Sequence, residues 1–193
     1  NEIVLMEYDI NYWNKYTDKN ESNYNEEFAK FIHDLATSLK VNNVLEVGCN
    51  TGNDLQGFSE NFEVHGLDLN EHALDIAIQR FPSFKFKNGS ITELPYGDSS
   101  IDFVFTHNVL NYIPEKEMDK AINELYRVSR KYILNCELFD ENERPIDDAN
   151  TSSWKRNVYK RWLSFKVKII SDVDMHEDIE SQKPRFTLVR KIS

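Results

Sequence analysis

The sequence predicts a doubly wound α/β domain with a mostly parallel sheet, on three observations. Short β-branched runs alternate with segments of helical period from Val44 to Glu137, and such alternation implies βαβ units whose sheet is covered on both faces. The first run, Val44-Leu45-Glu46-Val47, enters a turn bounded by Gly48 and Gly52, the place where doubly wound sheets bind ligands. The last two strand-like runs have no clear helix between them, so an antiparallel ending is expected.

The elements follow in order. Residues 8–25 are polar yet carry Tyr8, Tyr12, Trp13, Tyr16 and Tyr24, which reads as an aromatic arm or lid docked on the rest. Phe28, Phe31, Ile32, Leu35 and Leu39 fall at helical spacing over Glu26 to Leu39. After the strand at Val44 and the glycine turn, a helix is expected. Phe62 to Leu69 reads as a strand, Glu71 to Arg80 as a helix and Phe84 to Lys87 as a short strand. Ile101 to Thr106 is a strand. Glu115 to Arg130 is a helix with Met118, Ile122, Leu125 and Val128 on one face, and Lys131 to Glu137 is a strand. A polar loop over Asp140 to Ser153 and a helix over Trp154 to Leu163 precede closing strands at Phe165 to Ile170 and Arg185 to Ile192. No segment marks a domain boundary, so one domain accounts for residues 1–193.

Composition narrows the function. With 23 basic and 33 acidic residues the net charge is −10, which argues against general nucleic-acid binding. No apolar run approaches the ~20 residues needed to cross a bilayer. The first ten residues hold only the short apolar run Ile3 to Met6 without a basic flank, so no signal peptide is expected and the reading is soluble and cytoplasmic. Cys49 and Cys136 lack metal or disulfide spacing.

The glycine turn and the acid after it carry the chemistry. Glycine lets backbone approach a ligand closely, although a pair of glycines also closes a purely structural turn. His65-Gly66-Leu67-Asp68 brings a carboxylate to the tip of the next strand, where it can accept both hydroxyls of a ribose. Asn70 is better placed than Asp68 to cap the helix at Glu71. A nicotinamide site wants Gly-x-Gly-x-x-Gly, but Asn50 and Asn53 occupy two of those glycine positions, and no Gly-Lys-Ser/Thr follows. An adenosine ligand without phosphates, S-adenosyl-L-methionine, fits better, with Glu46 near its amino-acid end.

Glu46-Val47-Gly48-Cys49-Asn50-Thr51-Gly52 resembles the acidic-x-Gly-x-Gly-x-Gly motif of the class I S-adenosylmethionine-dependent methyltransferases, of the methyltransferase domain type 11, with Asn50 for the middle glycine. Gly66-Leu67-Asp68 is similar to their second motif. Asn88-Gly89-Ser90-Ile91, Leu94-Pro95-Tyr96 and Ser100-Ile101-Asp102-Phe103-Val104 resemble their third and fourth, with Ser90 where the family often has an acid for adenine. The resemblance implies a Rossmann-like seven-stranded sheet with an antiparallel last strand. It also implies a cofactor site drawn from Tyr12, Tyr16, Glu46, Gly48, Cys49, Asn50, Gly52, Asp68, Leu69, Ser90, Ile91 and Thr106. Glu46 to Leu55, Gly66 to Leu74, Tyr132 to Phe139 and Trp154-Lys155-Arg156 are more weakly similar to methylases associated with pseudaminic acid biosynthesis, which implies an acidic sugar or sugar-nucleotide substrate.

Methyl transfer needs an aligned nucleophile, a dry site and, for some acceptors, a base. His107, just past a buried strand, is the candidate base; packing is its bland alternative. Asn108 and Glu137 lie at strand tips on the substrate side. From Thr151 to Ile170 there are six basic residues and no acids, and Arg156 there is the candidate anion ligand. A small, anionic substrate is the expectation, with a non-catalytic binding module of the same fold as the alternative.

Overall fold

A computed structural model describes residues 10–21, 24–146 and 152–192; Tyr8, the Ile3 to Met6 run and residues 147–151 of the polar loop lie outside them. At its centre β1 (Asn43–Val47) pairs in parallel with β2 (Glu63–Asp68) on one side and β4 (Ile101–His107) on the other. Parallel β3 (Lys85–Asn88) flanks β2, and parallel β5 (Ser129–Glu137) flanks β4. Beyond β5 the chain closes with β8 (Val167–Asp174) and β9 (Arg185–Lys191), the last strand inserting antiparallel between β5 and β8. The order is β3-β2-β1-β4-β5-β9-β8, the expected seven-stranded sheet with its antiparallel last strand.

Helices cover both faces. On one, α2 (Glu26–Ser38) lays Phe28, Ile32 and Ala36 against Val44, Phe103 and Phe105. On the other, α4 (Glu115–Val128) buries Met118, Ile122, Leu125 and Val128 against Leu45, Val104 and Ile133. Asn25 caps α2 by accepting from the Phe28 amide at 3.0 Å, and Asn70 caps α3 (Glu71–Arg80) by accepting from His72 N at 3.0 Å. The arm becomes a helix, α1 (Ile10–Asn20), lying over the carboxyl end of the sheet.

Two expected elements differ. The helix after Gly52 is only a 3-10 turn, Asp54–Gly57. A Cβ on Gly57 would stand 3.0 Å from the Ala29 carbonyl oxygen, so α2 already occupies the space that a longer crossover helix would need. The helix expected over Trp154 to Leu163 is split. Its first residues form β7 (Ser153–Lys155), a hairpin with β6 (Arg144–Ile146), and only α5 (Val158–Trp162) is helical. Among the described residues no helix is long and apolar enough to cross a membrane.

Candidate active site

The glycine turn uses three left-handed residues: Gly48 (φ +83°), Asn50 (φ +46°) and Gly52 (φ +78°). A Cβ on Gly48 would fall 2.4 Å from Val109 Cγ2, so glycine is required there for packing as well as conformation. Asn50 takes the conformation of the missing middle glycine, which asparagine tolerates better than most residues. Its Oδ1 accepts from the Thr17 hydroxyl at 3.0 Å, and Thr17 Oγ1 accepts from Asn70 Nδ2 at 3.3 Å. Thr17 is buried. Asn50 therefore docks α1 onto the turn, a contact that a glycine could not make.

Asp68 sits at the tip of β2, as expected. Its Oδ2 accepts from the Asn50 amide at 2.7 Å and its Oδ1 from the Asn70 amide at 2.8 Å. Burial raises the carboxyl above its ordinary range and outweighs these hydrogen bonds, which favour the charged form.

Next to Asp68 opens a cleft that, with its solvent-facing part, encloses about 690 Å³. Its floor is Val47, Gly48 and Leu67, and one wall is Gly89, Ser90 and Ile91. Asn108, Val109, Tyr112 and Ile113 form the opposite side, with Asp68, Leu69 and Asn70 at the rim and Ile10 and Trp13 above. Of the expected cofactor residues, Gly48, Asp68, Leu69, Ser90 and Ile91 line this cleft, and so does Asn108. Ser90 Oγ pairs with Thr92 Oγ1 at 2.9 Å and accepts from the Thr92 amide.

Tyr12 and Tyr16 stand behind the lining. Trp13 takes the lid position, edge-on to Tyr112 at 5.0 Å, with Tyr12 and Tyr16 packed on it at 5.1 and 5.5 Å. Ile10 and Trp13 are three residues apart and share a helix face, which turns Tyr12 elsewhere. Cys49 is buried beneath the turn beside Gly66, and Gly52 faces the Phe81 ring. Burial, then Asp68, pushes the Cys49 thiol up, leaving an inert packing residue.

Glu46 is 3% exposed, and its Oε2 has no hydrogen-bond donor among the described residues. Burial, then the neighbouring Asp54 and Asp68, raise its carboxyl well above the ordinary range. Asp54 itself accepts from His107 Nδ1 at 2.7 Å. His107 does not line the cleft. Its ring stacks on Phe28 at 3.9 Å, because alternation along β4 turns it to the α2 face with Phe103 and Phe105. Burial disfavours its charge, but Asp54 and then Glu180 and Glu137 raise it above the ordinary imidazole value. A ring buried on the α2 face, stacked on Phe28 and bonded to Asp54, does not reach the cleft as a general base would, so that expectation is corrected.

Three further expectations are corrected. The Thr106 hydroxyl is buried, donates to Glu137 Oε1 at 2.7 Å and accepts from Asn135 Nδ2 at 2.8 Å; it does not face the cleft. Glu137 is likewise buried and closes this network under Trp162, whose Nε1 donates to Asn135. Arg156 is 1% exposed. It donates to the Leu110 and Ile113 carbonyls and pairs with Glu115 at 2.6 Å and Glu143 at 3.2 Å, so its guanidinium is buried in the protein's own contacts rather than presented to a ligand. Arg161 joins the same acids, and Lys160 pairs with Glu141 at 2.7 Å. Arg156, Lys160 and Arg161 are thus neutralised by acids from other segments.

Sequence reasoning placed Trp13 in the aromatic arm or lid together with Tyr12 and Tyr16, and missed Val109, Tyr112 and Asp54. Asp54, two residues past Gly52, offered a weak signal; Glu180 offered none.

Residues 44–132 match a family model described as a methyltransferase domain. Part of the chain is 33% identical over 97 residues to a malonyl-[acyl-carrier protein] O-methyltransferase of Serratia marcescens, covering 50% of this chain and 37% of that enzyme. The chain thus spans well under half the length of that relative. Among solved structures, an amino pentose methyltransferase from Micromonospora echinaspora superposes with a TM-score of 0.71 at 14% identity over 92% of this chain and 96% of that one. A Haloferax volcanii methyltransferase in complex with the Trm112 activator gives 0.72 at 13% identity, over 96% and 98%. These share the fold. Residues 44–132 thus carry a methyltransferase-domain match, and with the motifs at β1 and β2 the chain is similar to the class I S-adenosylmethionine-dependent methyltransferases.

Proposed function

We propose that this chain transfers a methyl group from S-adenosylmethionine to a small molecule. The observation that carries the reading is Asp68 at the rim of the cleft with the buried, unsatisfied Glu46 Oε2 close behind it, although Glu46 itself does not line the cleft. A buried carboxylate oxygen without a donor fits an ammonium group, since a buried acceptor left unmade is costly. Each Asp68 oxygen takes one backbone amide and keeps a lone pair for a ribose hydroxyl. Leu67, Ile91 and Ile113 offer an apolar slot for adenine. When bound, S-adenosylmethionine supplies an electrophilic methyl on a sulfonium whose leaving group is a neutral thioether. The protein's part is to orient and to exclude water: Trp13 and Tyr112 close over the cleft, and Asn108, with an unpartnered buried Oδ1, is the polar group offered toward an acceptor.

The acceptor is a small molecule in this reading. Relatives and neighbours include enzymes named for a malonyl carrier protein, an amino pentose and tRNA, so the fold does not select the class. An acidic sugar or sugar nucleotide rests on the weaker sequence resemblance, because Arg156 and Arg161 are neutralised by acids. Titration calorimetry with S-adenosylhomocysteine and with NADH tests the cofactor, and labelled-methyl transfer to a panel of sugars, amines and carboxylates tests the acceptor. Tight NADH binding without S-adenosylhomocysteine binding overturns the reading.

A further inference from the structure

The excluded base, His107, has a position that packing alone does not explain. It joins four segments far apart in the chain. Asp54 of the 3-10 turn accepts from Nδ1 at 2.7 Å, and Glu180 of the β8–β9 connection stands 3.8 Å from Nε2. Phe28 of α2 closes one ring face at 3.9 Å. Asn25, at the start of α2, donates from Nδ2 to Glu180 Oε2 and to the Ile179 carbonyl, each at 2.9 Å. The side chains of His107, Asp54 and Glu180 are only 13–14% exposed, so little water replaces these partners.

The surrounding charge is one-sided. Asp54, Glu180 and, from β5, Glu137 face the ring; Glu46 of β1 lies behind Asp54, and Tyr16 of α1 is close to Asp54 and Glu180. Arg80 is occupied by Thr51 and Asn53, and Arg185 by Asp172 and Asp174. Carboxyl groups this close in a dry site cannot all ionise without a cation among them.

We propose that His107 is a positioning residue, a clamp that holds Asp54 on Nδ1 and faces Glu180 with Nε2, and so leaves the Glu46 carboxylate for the ligand's ammonium group. The role rests on the cofactor reading above. By holding Asp54, the clamp offsets the negative charge that stands beside Glu46. By facing Glu180, it ties the β8–β9 connection to the segment that follows the glycine turn. No proton leaves the imidazole during the reaction.

Two measurements on the intact chain test this. In the ligand-free protein, an NMR titration of the His107 ring, assigned with His107→Gln, should place its pKa above the ordinary value of about 6.5, and Glu180→Gln should lower it by about one unit. Titration at or below the ordinary value overturns the clamp. In calorimetry, His107→Gln should weaken S-adenosylhomocysteine by about tenfold at pH 6.5, with the loss shrinking toward pH 8.5 as Glu46 ionises unaided. A loss that stays constant with pH marks packing on Phe28 alone and also overturns it. If His107→Gln fails to fold, the near-isosteric Glu180→Gln carries the affinity test, with the same pH-dependent loss expected and a constant one counting against the clamp. If the unmodified chain binds no S-adenosylhomocysteine at any pH, the cofactor reading fails, and the ligand-free titration still decides whether the clamp exists.

Discussion

At the carboxyl edge of the sheet, one cluster of buried charge closes on itself and another does not. Arg156 and Arg161 meet Glu115 and Glu143, and Arg156 also satisfies two carbonyls of the β4–α4 connection. Across the edge, Glu46, Asp54, His107 and Glu180 leave Glu46 Oε2 and His107 Nε2 without a hydrogen bond among the described residues. A buried ion pair with every group matched holds a fold in one arrangement; one with a missing partner is poised for a ligand. Within the basic run that promised a ligand site, Arg156 and Arg161 form a structural joint instead.

Breaking the closed cluster should have the largest effect. Arg156→Met leaves the Leu110 and Ile113 carbonyls without their donor and takes one donor each from Glu115 and Glu143, and folding stability should fall by about 3–5 kcal/mol in urea denaturation. A loss below about 1 kcal/mol would mean that this cluster is solvated rather than structural.

Glu137 lies between the two clusters and provides a pH test. Burial raises its carboxyl to about 7 against the Thr106 hydrogen bond. A carboxyl whose folded pKa is raised contributes stability that is fully present below its unfolded pKa, near 4.5, and is lost as pH rises to about 7. The drop is on the order of 3 kcal/mol. Glu137→Gln should flatten stability between pH 5 and 7, and an unchanged slope would put the proton elsewhere.

The open cluster should respond in the opposite sense. Glu46→Gln removes a buried acid, so stability holds or rises, while S-adenosylhomocysteine affinity falls by about 1.5–3 kcal/mol. Loss of both together would make Glu46 structural and erase the contrast. The smallest effect is Asp68→Ala, which should weaken the same ligand by about 1–3 kcal/mol, the scale of lost hydrogen bonds to a charged group. Unchanged affinity in calorimetry would take Asp68 out of the site.

Local signals explain what could be read in advance. Helix α3 spans Glu71–Arg80 as expected because Asn70 caps it and its apolar period is complete. The strands around the glycine turn were legible because β-branched runs there end at glycine or aspartate. The helix missing after Gly52 and the hairpin inside Trp154 to Leu163 were not legible, since α2 and β6 displaced local preference.

The same division holds in the site. By itself the sequence determined the parallel sheet, its antiparallel end, the glycine turn and the acid at the tip of β2, because each depends on residues within one βα junction. Tertiary structure alone decided that Trp13 rather than Tyr12 meets the cleft, that Arg156 is neutralised by Glu115 and Glu143, and that His107 lies between Asp54 and Glu180. Those outcomes depend on the phase of a helix against the sheet and on partners 13 to 73 positions away in the chain. A charge's role follows from what surrounds it in space, and no local spacing encodes that.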